Sequence, residues 1–321
     1  MRNLSSPETY RNMGFWNEAT QQAINDTELA VAGNGGTGNL VALEAARIGV
    51  QSFRIADPEV FDDVNSNRVM GARVETIGRN KAEVLKEDIL AINPEANVVT
   101  YTDGINQDNI EDFLQSADVV LNGLELTRPS LAVMLARATR NRMIAGEEAP
   151  LPIIDVEYIG HAGQGTVFDP TSSVTFERFM NIKSFDKKGN DIPLGDLDLP
   201  PVATSRYLAY LPPYGDLKTL EAIHNGSPLP SNMIGAGVAA QIAVSEMVKL
   251  ARKRVGEKGL KPTYAPEVRW YDAYTNESGK TRYPVQSHYK HLANVVLRNL
   301  AHLNEQASYT VEERALRGDV S

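Results

Sequence analysis

Leu29-Ala-Val-Ala32, then Gly33-Asn-Gly-Gly-Thr-Gly38, then Asn39-Leu-Val-Ala-Leu-Glu-Ala-Ala-Arg-Ile48 is the stretch whose reading decides the fold. A short apolar run enters a glycine-rich turn, and a helical pattern leaves it. The spacing G-x-G-x-x-G is weak alone and gains weight between a strand and a helix. Glycines let backbone N–H groups approach phosphate oxygens, and the helix N-terminus adds partial positive charge. A plain tight turn is the bland alternative. Against it, the next strand candidate, Phe53-Arg-Ile-Ala56, ends in Asp57, 24 positions after Gly33, where an acid can hold a ribose.

The same alternation continues on both sides of this unit. Lys81–Ile92 has helical spacing and stops at Asn93-Pro94; Val98–Tyr101 and Asp118–Leu121 read as strands, with Ile110–Leu114 helical between them. Pro129–Met143 reads as a helix and Pro152–Asp155 as a fifth strand. Strands alternating with helices predict an α/β fold: a doubly wound, Rossmann-like, mostly parallel sheet, extended by strands and helices from the second half. There, Gly160–Phe168 reads as a hairpin or strand, Pro193–Pro213 as a proline-rich crossover, and Asn232–Arg254 as a long helix. Val268–Tyr274 is a late strand and Val285–Leu303 a late helix. The expected division is an N-terminal arm and helix over 1–27, a nucleotide-binding region over 28–170, and a crossover, substrate and dimerisation region over 171–321.

Composition narrows the function. The 321 residues are 42% apolar and 23% charged, ordinary globular values, with a formal net charge of −9. So acidic a chain, with no dense basic patch, disfavours nucleic acid as a partner. There are no cysteines, which removes disulfides, thiolate nucleophiles and Cys-ligated zinc. No apolar leader is visible, and the apolar stretch Met233–Val248 carries Glu246, so it reads as a buried helix and no membrane span; the expectation is a cytoplasmic protein.

The cradle alone fits NAD as well as ATP. Arg68 and Lys81, 13 residues apart beyond the second strand, favour a triphosphate that must part with pyrophosphate. A nicotinamide-dependent dehydrogenase and a nucleotide-binding scaffold without activity remain the rival readings.

Taken together, Gly33-x-Gly-Gly-x-Gly38, Asp57-x-x-x-Phe61, Asn65-x-x-Arg68, Gly78-x-x-Lys81-Ala82 with Ile92-Asn93-Pro94, and Asp118-Val-Val-Leu121 resemble the ThiF/HesA/MoeB family of ubiquitin-activating-enzyme-like adenylyltransferases. Arg11-Asn-Met-Gly-Phe15 resembles the family's arginine-bearing arm, which reaches a neighbouring protomer's nucleotide. The resemblance implies that Gly33, Gly35, Gly36 and Gly38 cradle phosphates and that Asp57 holds the ribose. It further implies that Asn65 and Arg68 meet the phosphate tail, Lys81 neutralises departing pyrophosphate, and Arg11 completes a partner's site in a homodimer. Glu125 stands where the family has a magnesium-binding aspartate. The implied reaction is attack of a substrate carboxylate on the ATP α-phosphorus. The acid belongs to a peptide, a carrier protein or a metabolite, and the peptide branch rests on the Phe168-Asp-Pro170 and Thr175–Phe179 stretch. Relatives' catalytic cysteine and zinc motifs are missing, so no enzyme thioester and no zinc are expected.

Other candidates carry less. His288, His291 and His302 share a helix candidate without a third ligand, and read as a solvated face. His161, Tyr158, Gln164 and Arg178 follow the fifth strand, where substrate contact competes with simple packing.

Overall fold

The computed structural model describes residues 9–125, 129–144, 150–197, 212, 214 and 230–282. The expected late helix over 285–303, its three histidines and most of the proline-rich crossover lie outside the described residues.

The glycine turn joins β1 (Glu28–Ala32) to α2 (Gly36–Ile48); α1 (Glu18–Asn25) precedes them, capped by the Asn17 side chain on the Thr20 N–H. Then come β2 (Ser52–Ala56), α3 (Lys81–Ile92), β3 (Asn97–Tyr101), α4 (Ile110–Leu114), β4 (Val119–Asn122), α5 (Pro129–Ile144) and β5 (Ile153–Ile159). The order β3-β2-β1-β4-β5 is parallel throughout, with Ala32 opposite both Ala56 and Asn122. Between β1 and β4 the order in which strands are added reverses, and this is the topological switch at which open α/β sheets bind ligands.

From β5 onward the sheet turns antiparallel. β6 (Ala162–Phe168), β7 (Glu267–Asp272) and β8 (Glu277–Arg282) pair in sequence and bring the sheet to eight strands. The short α6 (Phe176–Phe179) follows β6, and α7 (Met233–Arg254), capped by Asn232 on the Ile234 and Gly235 N–H groups, packs on α2, β5 and β6. α7 is long and apolar enough to cross a membrane, and in this structure it lies against the sheet.

Alternation along the strands fills two cores, one on each face. Leu29 and Val31 of β1 face α2, α3 and α7, joined by Ile154 and Val156 of β5. Ala30 and Ala32 face the other way, toward Phe113, Val133, Leu135 and Phe168. Small residues set the α7 contact: Ala236, Ala239, Ala240 and Ala243 have no exposure, and a Cβ on Gly163 of β6 would sit 2.5 Å from the Ala239 nitrogen.

Candidate nucleotide site

The carboxyl ends of β1 to β5 border one cavity of about 920 Å³. It holds Gly33, Gly35 and Gly36 at the turn, Asp57 after β2, Asn65 and Arg68 in the following loop, Lys81 at the start of α3, and Glu125 after β4. Residues spread over 92 positions of sequence thus meet because the parallel strands end together.

The turn is built by close backbone approach. Gly33 has φ +90°, and a Cβ there would lie 2.5 Å from the Gly123 carbonyl oxygen. A Cβ on Gly38 would collide with the Gly33 carbonyl, so Gly38 closes the turn from beneath and does not line the cavity. Gly35, the N-cap of α2, has nothing within 4 Å of its Cβ position, and its open side is the cradle itself. Thr37, in the first turn of α2, lines the cavity at 5% exposure with a hydroxyl that has no partner. An unsatisfied buried hydroxyl beside a helix N-terminus fits a bound phosphate oxygen.

Asp57 does more than wait for a ribose. One oxygen accepts the Asn34 N–H at 2.6 Å and the other the Glu59 N–H at 2.8 Å, tying the glycine turn to the end of β2. Burial pushes its carboxyl above the ordinary range, while those two N–H groups and the Lys81 charge pull the other way. A carboxylate has lone pairs left for sugar hydroxyls after two such bonds.

The two cations are each held by neighbours. Lys81 is only 5% exposed and its Nζ lies 2.6 Å from Glu59 Oε2, so it is a held charge, not a free one. Glu59, two residues after Asp57, was not singled out in the sequence, because nothing in spacing marks the counter-ion of a cation 22 residues away. Arg68 donates to the Val64 carbonyl at 2.7 Å and to Asn67 Oδ1 at 3.0 Å, and it bonds the Tyr158 hydroxyl. Asn65 accepts the Asp62 N–H at 3.1 Å within a capping box, so it braces the loop that carries Arg68.

Arg11 stands apart. Its neighbour Asn12 bonds the Ile48 carbonyl and Gln21, which places the arm at the far end of α2 from the cradle, and exposed Arg11 is absent from the cavity of its own chain. Of the less-favoured candidates, Tyr158 lines the cavity, its hydroxyl 2.5 Å from where a Gly36 Cβ would be. His161 packs with Tyr214 and Tyr274, Gln164 is buried on β6, and Arg178 donates to the Ser173 carbonyl; none of the three lines the cavity.

Glu157 also lines the cavity and escaped the sequence reading. Its signal was present: Asp155-x-Glu157 puts two carboxyls on one face of β5, at the end of the strand nearest the turn. Asp155 is buried and accepts from Asn122 Nδ2 at 2.5 Å, and burial lifts it to about 7 against that bond. Glu157 is pushed well above the usual range by burial and then by Asp155.

A glycine turn at a helix start, an acid on the next strand and two basic residues facing them define a Rossmann-like nucleotide-binding α/β protein. Residues 9–292 match the ThiF family, and the chain belongs to it. It is 28% identical over 158 residues to the tRNA threonylcarbamoyladenosine dehydratase of Escherichia coli (strain K12), 49% of this chain and 54% of the relative. The Mycobacterium tuberculosis (strain ATCC 25618 / H37Rv) protein described as a probable adenylyltransferase/sulfurtransferase MoeZ is 30% identical over 105 residues, 33% of this chain and 27% of that one. The chain thus spans about half the length, or less, of these curated relatives. Crystal structures of E. coli MccB share the fold: with succinimide, TM-score 0.59 at 14% identity, covering 88% of this chain and 73% of that one; with ATP, TM-score 0.55 at 15% identity, covering 82% and 65%. At such identity the likeness is one of fold.

Proposed function

We propose that the protein is an ATP-dependent adenylyltransferase that converts a substrate carboxylate to an acyl adenylate without an enzyme thioester. The observation that carries this reading is the cavity in which Arg68 and Lys81 face a glycine turn and a ribose-type acid. Family membership and the relatives' names, molybdopterin-synthase adenylyltransferase and MoeZ among them, support it. So does the fold shared with MccB, which was crystallised with ATP and with the peptide MccA.

The chain's own residues account for the chemistry. A substrate carboxylate is already ionised at neutral pH, so attack on the α-phosphorus needs no general base. The turn and α2 N-terminus fix the phosphates, Asp57 fixes the sugar, and Arg68 and Lys81 stabilise charge on the leaving pyrophosphate. As phosphate oxygens approach, Lys81 exchanges its bond to Glu59 for one to the nucleotide, and the Glu59 carboxylate loses its cation. With no cysteine in the chain, the acyl group passes to a nucleophile on the substrate or on a partner.

Magnesium fits the site in a limited sense. Among the described residues no three His, Cys, Asp or Glu side chains converge as a metal cage. Magnesium is commonly held by one or two carboxylates plus phosphate oxygens and water, and exposed Glu125 at the cavity edge provides one such carboxylate. Bound there, the ion would supply charge neutralisation on the phosphates. A homodimer in which Arg11 serves the partner's nucleotide, a peptide or carrier substrate and a cytoplasmic setting complete the proposal.

The test is ATP–pyrophosphate exchange over a panel of carboxylates. Exchange that depends on ATP and magnesium supports the reading; NAD binding with indifference to ATP points to a dehydrogenase instead.

A further inference from the structure

The wall of the cavity on the β5 side has a chemistry of its own. In the order β3-β2-β1-β4-β5, Asp57 marks the ribose side on β2 and the glycine turn marks the phosphates on β1. β5 lies two strands beyond the turn in the opposite direction. At about 4.8 Å per strand, its end stands about 10 Å from the turn across the sheet. With sugar on one side of the phosphates, an acid attacking the α-phosphorus extends toward the other, over β4 and β5.

What it meets there is Leu124 after β4, Leu131 of α5, Glu125, and Glu157 with Tyr158 on β5. Glu157 is half-buried and makes no hydrogen bond or ion pair among the described residues. Both cations of the cavity are engaged elsewhere: Lys81, on the far side, with Glu59, and Arg68 with Val64, Asn67 and the Tyr158 hydroxyl. Behind Glu157 on the same strand face sits Asp155, tied to Asn122, and across on β6 the facing residue is the uncharged Gln164. A carboxyl recessed without a partner, backed by a second acid and facing the negative charge of a nucleotide, is costly until a cation arrives. A neutral donor would satisfy one hydrogen bond and leave the charge uncompensated.

Resting on the adenylyltransferase reading above, we propose that Glu157 receives an ammonium or guanidinium group carried by the substrate itself. The site then selects a carboxylic acid that bears a positive charge roughly one residue's length from the carboxyl being activated. Glu157 is on this account a specificity residue that touches substrate, and it takes no part in the displacement at phosphorus.

Matched probes differing in one charge test this: 5-aminopentanoate against hexanoate, and L-arginine against L-citrulline. Two readouts are taken, calorimetric binding to the enzyme without nucleotide, and pyrophosphate exchange with ATP and magnesium. The expected result is at least tenfold preference for the charged member in both readouts. Glu157→Gln, which keeps the side chain's size, abolishes the preference, and Glu157→Asp retains part of it. Equal binding of the paired probes, binding of neither, or a preference that survives in Glu157→Gln overturns the proposal; the last outcome means that another group reads the charge. A Glu157-dependent preference in binding with no exchange for any probe leaves the cation site standing and removes the adenylyltransferase reading.

Discussion

Arg68 and Lys81 occupy the same cavity wall but are held in different ways, and their variants should differ accordingly. Removing a cation from a developing charge costs about 3 kcal/mol, on the order of a hundredfold in rate. Arg68→Ala and Lys81→Ala should each lose that much in exchange activity. Lys81→Ala should also weaken the fold, because it removes a buried cation from its ion pair, whereas Glu59→Gln should keep most of the activity; kinetics and thermal melts on the three variants check this. A second prediction concerns Asp155, lifted to about 7 from an ordinary value of 3.8. A carboxyl raised in the folded state contributes stability that is complete below the unfolded value and lost as pH climbs through the folded one. The melting temperature of Asp155→Asn relative to the parent should therefore rise between pH 4 and pH 8, by the equivalent of a few kcal/mol at about 1.4 kcal/mol per pKa unit. A difference that is flat across that range would contradict the burial of a neutral acid. Asp57, Arg68 and Lys81 were picked out by their spacing from the strands, and Asn65 by the family resemblance; the structure brings all four to one cavity. Glu59 was not, because what marks it is a through-space partner; Glu157 had a signal in Asp155-x-Glu157 that became readable only once β5 was seen to run past Asp155.

At the scale of elements, β1, β2, α3 and α4 were legible in the sequence to within a residue or so, since short apolar runs, helical spacing and Asn93-Pro94 after Ile92 are local signals. β5 was expected to end at Asp155 and runs on to Ile159, because its second half pairs antiparallel with β6 across the Gly160-His161 turn, a contact no local pattern shows. α2 was expected from Asn39 and starts at Gly36: the glycines are poor helix formers, but closure of the turn against Gly33 draws them into the first helical turn. That closure gives a test. Gly38→Ala pushes a methyl into the Gly33 carbonyl and should destabilise the protein by about 1–3 kcal/mol, measurable by urea denaturation. The α7 contact gives another: Ala240→Leu, at a position with no exposure against the sheet, should cost a similar amount, while an exposed α7 position such as Gln241→Leu should be near neutral.

Among the described residues the eight strands form one continuous sheet, in which β6 and the strands from beyond residue 260 extend the parallel half that carries the cradle. The parallel half was legible from its alternating rhythm; of the extension, the strands near 160–168 and 268–274 were legible but their pairing was not, since pairing across more than 100 residues leaves no trace in spacing. The arm bearing Arg11 lies at the far end of α2 from its own cavity, so its proposed service to a nucleotide requires a second copy of the chain. Mixing impaired Arg11→Ala with impaired Arg68→Ala should restore up to about a quarter of parental activity through hybrid dimers, each with one intact site of two; no recovery at any ratio, in an assembly shown to exchange subunits, contradicts a shared site. The central claim is that this cavity holds ATP with its phosphates between the glycine turn and two basic side chains. Calorimetric titration of ATP with magnesium, set against NAD, into the parent protein and Arg68→Ala measures it most directly. The account predicts saturable ATP binding that weakens at least tenfold in the variant, with no heat from NAD. Equal ATP affinity in both proteins, or NAD binding in place of ATP, would contradict it.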